Sequence, residues 1–396
     1  MASTSTHAAP AAAKEKLTPV KTLEDHEDFI QSMAYFPDGK RIISGSDDKT
    51  ARQWDMQAGK EIKKERDVCQ WEVRAVAVSR NGRWVVIAGG NDDHTELKAC
   101  EIETGIMKTF RGHSQEIKCI DISPDSTLLA SGSRDETVRI WSLVTGKLIA
   151  GPFEGVGFMG AIRFSQDSKK LAVSSEVGNG LDVWDVQTQK SDVMFQGKGT
   201  MTPAVTQVPL FWTNRETILT AFNFTDHGPI TIYEFDASTL KTVGTSFEGH
   251  TDIINSIALS FDGALLASSS RDNTIKLWDF ESRHLLASFH VLNAKIIIFS
   301  PLDSRQLAYT TATYKDDNKI YICNTPADIL ARTTLPKVRL LTFTNLRCNN
   351  LLQKTSATLQ DLLEVCVTSI CTFMLIGMHH PSLTQPVVLP PCTVIE

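Results

Sequence analysis

Apolar and polar residues alternate along this chain in short runs, each ended by a cluster of turn-forming residues. The pattern is clearest in the third of several similar stretches. There 117–123 alternates as an inner strand, Pro124-Asp125-Ser126 turns the chain, and 128–132 returns as a second strand. Residues 133–136 turn again, 137–142 form a third strand, and 147–153 an outer fourth. Asp- or Asn-led turns like that at Asp125 recur at Asp38-Gly39, Asn81-Gly82, Asp167-Ser168, Asn214-Arg215, Asp262-Gly263 and Asp303-Ser304. Their first residues lie 41 to 48 positions apart. A period of about 40–45 residues with four short strands per unit marks a blade of a β-propeller.

Three units carry a sharper signature. Asp25-His26 leads to Trp54-Asp55, Gly112-His113 to Trp141-Ser142, and Gly249-His250 to Trp278-Asp279, with His and Trp 28 residues apart each time. Trp184-Asp185 supplies another such ending, and Cys100-Glu101, Tyr233-Glu234 and Cys323-Asn324 are degenerate forms. Over residues 18–324 the chain resembles the WD40 family, and its irregular blades look similar to expanded fungal members of it. The resemblance implies an all-β, seven-bladed disc.

The ends of the array say how the disc closes. Residues 20–26 match 107–113, where the stretch before His113 is an outer strand, so the chain opens with an outer strand that has no blade of its own. The last unit, 291–324, supplies three strands and no clear fourth. In WD40 propellers the leading strand completes the last blade, which removes an exposed edge. The expected organisation is a disordered leader at 1–16, a propeller at 17–324 and an irregular, poorly ordered tail at 325–396.

Each good unit holds Ser, His and Asp, which invites a hydrolase reading: His26, Ser44 and Asp48; His113, Ser131 and Asp135; His250, Ser268 and Asp272. Nucleophilic catalysis needs an exposed hydroxyl, a base within reach and an oxyanion hole. Here a Trp always completes the set (Trp54, Trp141, Trp278), and the chain has no Gly-x-Ser-x-Gly elbow. The family resemblance implies a buried relay from indole N–H through Ser and His to Asp, a structural role that leaves the chain without catalytic residues.

Composition narrows the field further. A net charge of −6 gives no electrostatic footprint for nucleic acid and disfavours anionic membranes. The eight cysteines contain no Cys-x-x-Cys pair, so they read as small apolar residues of a reducing compartment. No cofactor or metal is expected. Asp92-Asp93-His94 reads as a solvated turn, Gly155-Val156-Gly157 leads into a strand rather than a phosphate-binding helix, and the sequon at Asn223 is without meaning in an unsecreted protein. Beyond Asn324 the repeat ceases. The apolar run 365–378 is short of the ~20 residues that span a bilayer, and His379-His380 has no partner acid nearby. The abrupt change there suggests a poorly ordered or erroneously coded stretch.

Function is then expected on the faces of the disc. In the family, partners often meet the face carrying the turns between inner strands. That pattern implies two positions early in the inner strand and one just before the tetrad Asp. In this chain they are Phe29, Gln31 and Asp47; Glu72 and Arg74; Glu116, Lys118 and Arg134; Phe158, with Gly160; and Ile253, Asn255 and Arg271. The mixture of basic, acidic and apolar residues suits a protein or peptide ligand. The reading is a non-enzymatic WD40 scaffold, a monomeric disc within larger complexes, in the cytoplasm or alternatively the nucleus. A ubiquitin-ligase substrate receptor and a propeller-based enzyme are the alternatives; the first lacks an evident docking helix pair, the second convergent acids at the channel mouth.

Overall fold

The computed structural model describes residues 17–333, except 63–68, 92, 155–156, 177, 197–208, 225–227, 303–304 and 313–317. The leader, Asp92, Asp303-Ser304, Gly155-Val156, Thr225, and everything from 334 onward, including 365–378, His379 and His380, lie outside the described residues. Within them, 27 strands form seven antiparallel sheets, six of four strands and one of three. Each sheet is one blade.

The turns explain why the strands break where they do. In five of the blades the leading Asp or Asn caps the turn by accepting a backbone N–H two residues on: Lys40 N donates to Asp38 Oδ1 at 2.9 Å, Arg83 N to Asn81 Oδ1 at 3.0 Å and Thr127 N to Asp125 Oδ1 at 3.0 Å. The next residue then takes the left-handed conformation, as Gly39 does at φ 63° and Ser126 also at φ 63°. In the fifth blade the turn is shifted by one: Glu216 is the left-handed residue at φ 59°, and Thr213 Oγ1 accepts the Arg215 N–H in place of an Asp. Arg215, not Asn214, therefore stands where the other blades have Asp or Asn.

The blades meet through seven separate apolar clusters, one at each seam. Trp84, Val86, Leu129 and Trp141 fill the seam between the second and third blades. The seam between seventh and first holds Leu23, Ile42, Trp54, Ile320 and Ile322. Leu23 belongs to the leading strand Pro19–Glu24, which pairs antiparallel with Lys319–Asn324 in the register Leu23↔Ile320. The first strand thus completes the last blade, and the ring is closed by the same backbone pairing that holds each blade together.

Two features depart from the expected regularity. The fifth blade is the three-stranded one. Its outer segment forms the isolated bridges Phe235↔Thr242 and Ile232↔Phe247, with Val243 N donating to the Glu234 carbonyl at 2.7 Å, and between them Gly244-Thr245, with Gly244 at φ 68°, bulges into solvent. And the chain does not turn irregular directly after Asn324. A helix, Ala327–Arg332, follows, burying Ile329 in the seam between the sixth and seventh blades, while Arg332 Nη2 donates to the Leu286 carbonyl. Among the described residues no helix is long and apolar enough to cross a membrane.

Candidate functional site

The three Ser-His-Asp-Trp sets come together with one geometry. In the first blade Trp54 Nε1–H donates to Ser44 Oγ at 2.8 Å, Ser44 Oγ lies 2.7 Å from His26 Nε2, and His26 Nδ1 lies 2.7 Å from Asp48 Oδ2. The corresponding distances are 2.9, 2.8 and 2.9 Å through Trp141, Ser131, His113 and Asp135, and 2.9, 2.7 and 2.7 Å through Trp278, Ser268, His250 and Asp272. An indole N–H is only a donor, so the serine accepts it; in the tautomer with the proton on Nδ1, the imidazole donates to Asp and accepts the serine proton at Nε2. A threonine closes the end of the relay: Thr50, Thr137 and Thr274 each donate to their Asp at 2.6 Å. All three serines are fully buried.

These contacts set the ionisation of the group. Burial alone would push Asp48, Asp135 and Asp272 up. The hydrogen bonds from His and Thr overcome it and hold all three well below the usual carboxylate range. Burial moves His250 the other way, below the ordinary imidazole value, against the pull of Asp272.

The face above the relays is built from two loops per blade, stitched by a recurring backbone bond. Asp47 N donates to the Phe29 carbonyl at 3.0 Å, Arg134 N to Glu116 O at 2.9 Å and Arg271 N to Ile253 O at 2.9 Å. The same bond locates positions that spacing alone did not give: Gly90 N to Glu72 O in the second blade, Glu176 N to Phe158 O in the fourth, and Ala312 N to Asn293 O in the seventh. Two residues on from each accepting carbonyl stand Gln31, Arg74, Lys118, Gly160, Asn255 and Lys295. Lys295, 40 residues after Asn255, is located by this bond alone, because its unit carries no recognisable loop motif.

Around the channel mouth these side chains form one polar network across four blades. Lys295 Nζ donates to Gln31 Oε1 at 2.6 Å, and Gln31 Nε2 to Asp47 Oδ2 at 2.5 Å. Asp47 pairs with Arg74 at 2.5 Å; Arg74 also bonds Glu72 and Glu116. Glu116, almost wholly buried, binds Lys118 at 2.8 Å and lies 3.9 Å from Arg134. The Arg134 guanidinium sits 5.9 Å from the Phe158 ring centre. Burial would raise Glu116, but Lys118 and Arg74 hold it below the usual value, whereas burial keeps Glu176 above it despite Lys118 and Arg134. Asn255 donates to the Ala294 carbonyl at 2.9 Å, tying the sixth blade to the seventh. Phe29, Ile253 and Arg271 stand on the same loops, joined there by the stitching backbone bonds.

Other candidates have settled places. His94 stacks on Trp71 at 4.5 Å, with the Lys49 ammonium 5.7 Å from the same indole. Asn223 is buried, so its sequon is closed to a glycan. Cys119 and Cys323 are buried and Cys69 half-buried, and burial pushes each thiol up to about 12. Among the described residues no group of three His, Cys, Asp or Glu is arranged to hold a metal.

The family model described as WD domain, G-beta repeat matches residues 17–55, 105–142 and 241–279, the blades that hold the complete relays. These three blades are WD40 repeats. Among curated proteins, this WD40 chain is 25% identical over 246 residues to periodic tryptophan protein 2 of Arabidopsis thaliana, a match covering 62% of it and 26% of that protein. It is 28% identical over 192 residues to eukaryotic translation initiation factor 3 subunit I of Culex quinquefasciatus, covering 46% and 57%. The chain therefore spans less than two thirds of the length of these relatives. Among solved structures, the WD40 repeats of RRP9 superpose with a TM-score of 0.65 at 15% identity, covering 79% of this chain and 99% of that one. That likeness is one of fold.

Proposed function

We propose that this WD40 protein performs no chemistry of its own and works as a platform whose upper face, the one carrying the stitched loops, receives a protein or peptide ligand. The observation that carries the reading is how its polar groups are distributed. The serines and histidines a hydrolase would expose are spent in buried relays, with every hydrogen-bonding position of each Ser Oγ proton and indole N–H already used. Arg134 and Phe158, by contrast, stand about 38% exposed on one open rim beside a network of fixed charges. Arginine and aromatic side chains held rigidly at a surface are the groups that dominate protein interfaces.

The relatives support this at the level of their names, one being a subunit of a translation initiation factor. Such kinship favours a monomeric disc recruited into a larger assembly, in the cytoplasm or nucleus, bound neither to nucleic acid nor to a membrane. An affinity pull-down of wild type against Arg134→Glu/Arg271→Glu tests it. The double variant should melt as wild type does and lose its prey by at least about tenfold, since hot-spot side chains are each worth ~2 kcal/mol or more. Undiminished capture by the folded variant would remove the upper face from consideration.

A further inference from the structure

At the centre of the ring the innermost strands of all seven blades enclose a cavity of about 310 Å³. Its charge is lopsided. Four cationic side chains line it, Arg74, Lys118, Arg163 and Lys295, against one carboxylate, Asp121. Asp121 is already committed, accepting the Phe164 N–H at 2.7 Å beside Arg163. The carboxylates of the network above, Asp47, Glu72, Glu116 and Glu176, do not line the cavity. A chain whose net charge is −6 thus keeps a positive hole at its axis.

We infer that the channel mouth takes one carboxylate side chain, an Asp or Glu of the bound protein segment, seated among Lys295, Lys118 and Arg74. The inference rests on the platform reading and adds the chemistry of the residue that the face anchors. Lys295 is the main donor. Its ammonium has three N–H groups and gives one to Gln31. Burial pushes Lys295 down to about 8; Asp47 opposes the shift, while Arg74 and Lys118 reinforce it from across the mouth. An anion between these cations would relieve that repulsion.

Shape agrees with charge. The fourth blade contributes Gly160 to the ring, where a Cβ would lie 2.6 Å from the Ser175 carbonyl oxygen. No side chain narrows the mouth there, next to exposed Phe158, which is free to cover an apolar neighbour of the inserted residue. The surrounding carboxylates argue for a single negative charge on a peptide: a multiply charged free anion, or a run of acidic residues, would be repelled by Asp47, Glu72, Glu116 and Glu176.

The test selects binders to the full chain from a displayed library of random dodecapeptides. Wild type should enrich peptides with Asp or Glu fixed at one position. Lys295→Gln, with its melting temperature unchanged, should bind them at least about twentyfold more weakly, and a Gln in the peptide should cost as much. Lys118→Gln serves as the second variant should the first fail to fold. Peptides that need Arg134 and Arg271 but show no fixed acidic position, or ignore Lys295→Gln, overturn the carboxylate inference and leave the platform standing. Peptides indifferent to Arg134→Glu/Arg271→Glu remove the platform itself. Displacement of the bound peptide by inorganic phosphate would assign the cavity to a free anion and also overturn the inference.

Discussion

Ser131 places a single hydroxyl between two buried aromatic side chains. It accepts the Trp141 indole N–H at 2.9 Å and meets His113 Nε2 at 2.8 Å, so Ser131→Ala strands a donor and an acceptor together. Each unsatisfied buried group costs about 1–3 kcal/mol, and Trp141 and His113 are too buried to recover the loss from water. Chemical denaturation should therefore show Ser131→Ala destabilised by roughly 2–4 kcal/mol. Ser114→Ala, whose side chain is exposed on the adjoining loop, should stay within about 0.5 kcal/mol. Equal midpoints for the two variants would mean that the relay contributes nothing to holding the blade.

Among elements, the leading strand Pro19–Glu24 has the largest consequence for its size. Leu23 is 1% exposed in the cluster with Trp54 and Ile320, whereas Val20, three residues away on the same strand, is 51% exposed. Leu23→Ala should cost about 2–5 kcal/mol and bare the edge of Lys319–Asn324 to self-association, while Val20→Ala should do neither. Denaturation paired with size-exclusion chromatography reads both effects; a Leu23→Ala protein as stable and as monomeric as Val20→Ala would deny the strand its closing role. This strand was legible because an outer strand's pattern, Val20-Lys21-Thr22-Leu23, is set by its own blade's pleat. So were the relays, since their partners lie within one repeat period. The charge network was legible only as a set of positions. Arg74 meets Asp47 across 27 residues and Glu116 across 42, contacts between blades that no periodicity within a unit encodes. Glu176 and Lys295 were missed for a related reason: their units have lost the motifs that index the loops, and only the stitching backbone bond restores the count. The fifth blade's bulge at Gly244 had a local signal, a glycine among exposed polar residues where an outer strand should alternate.

For the whole molecule, the three relays together make acid stability a property of the ring. Asp48, Asp135 and Asp272 all titrate in the folded state well below the ordinary Asp value of about 3.9, so the stability they lend is complete above that value and is lost as pH falls through their folded values. His250, also depressed by burial, adds a loss that begins as pH drops below about 6.5, where the unfolded imidazole takes up its proton first. Asp47, Asp121, Asp182 and Glu176 act in the opposite sense. Burial raises each of them, so their ionised forms weigh against folding at neutral pH and that weight lifts as they protonate. As pH falls from neutrality the two sets oppose each other; below about 4 the loss comes from the depressed carboxylates, chiefly the relay aspartates, with smaller shares from Glu116 and the depressed turn aspartates. The melting temperature should accordingly decline gently to about pH 4 and steeply beneath it. In Asp48→Asn/Asp135→Asn/Asp272→Asn, less stable at neutral pH, the steep limb should flatten, because the three most strongly depressed carboxylates among the described residues are gone. Thermal melts of both proteins across that range decide the matter: an acid limb just as steep in the triple variant would place the origin of acid unfolding outside the relays.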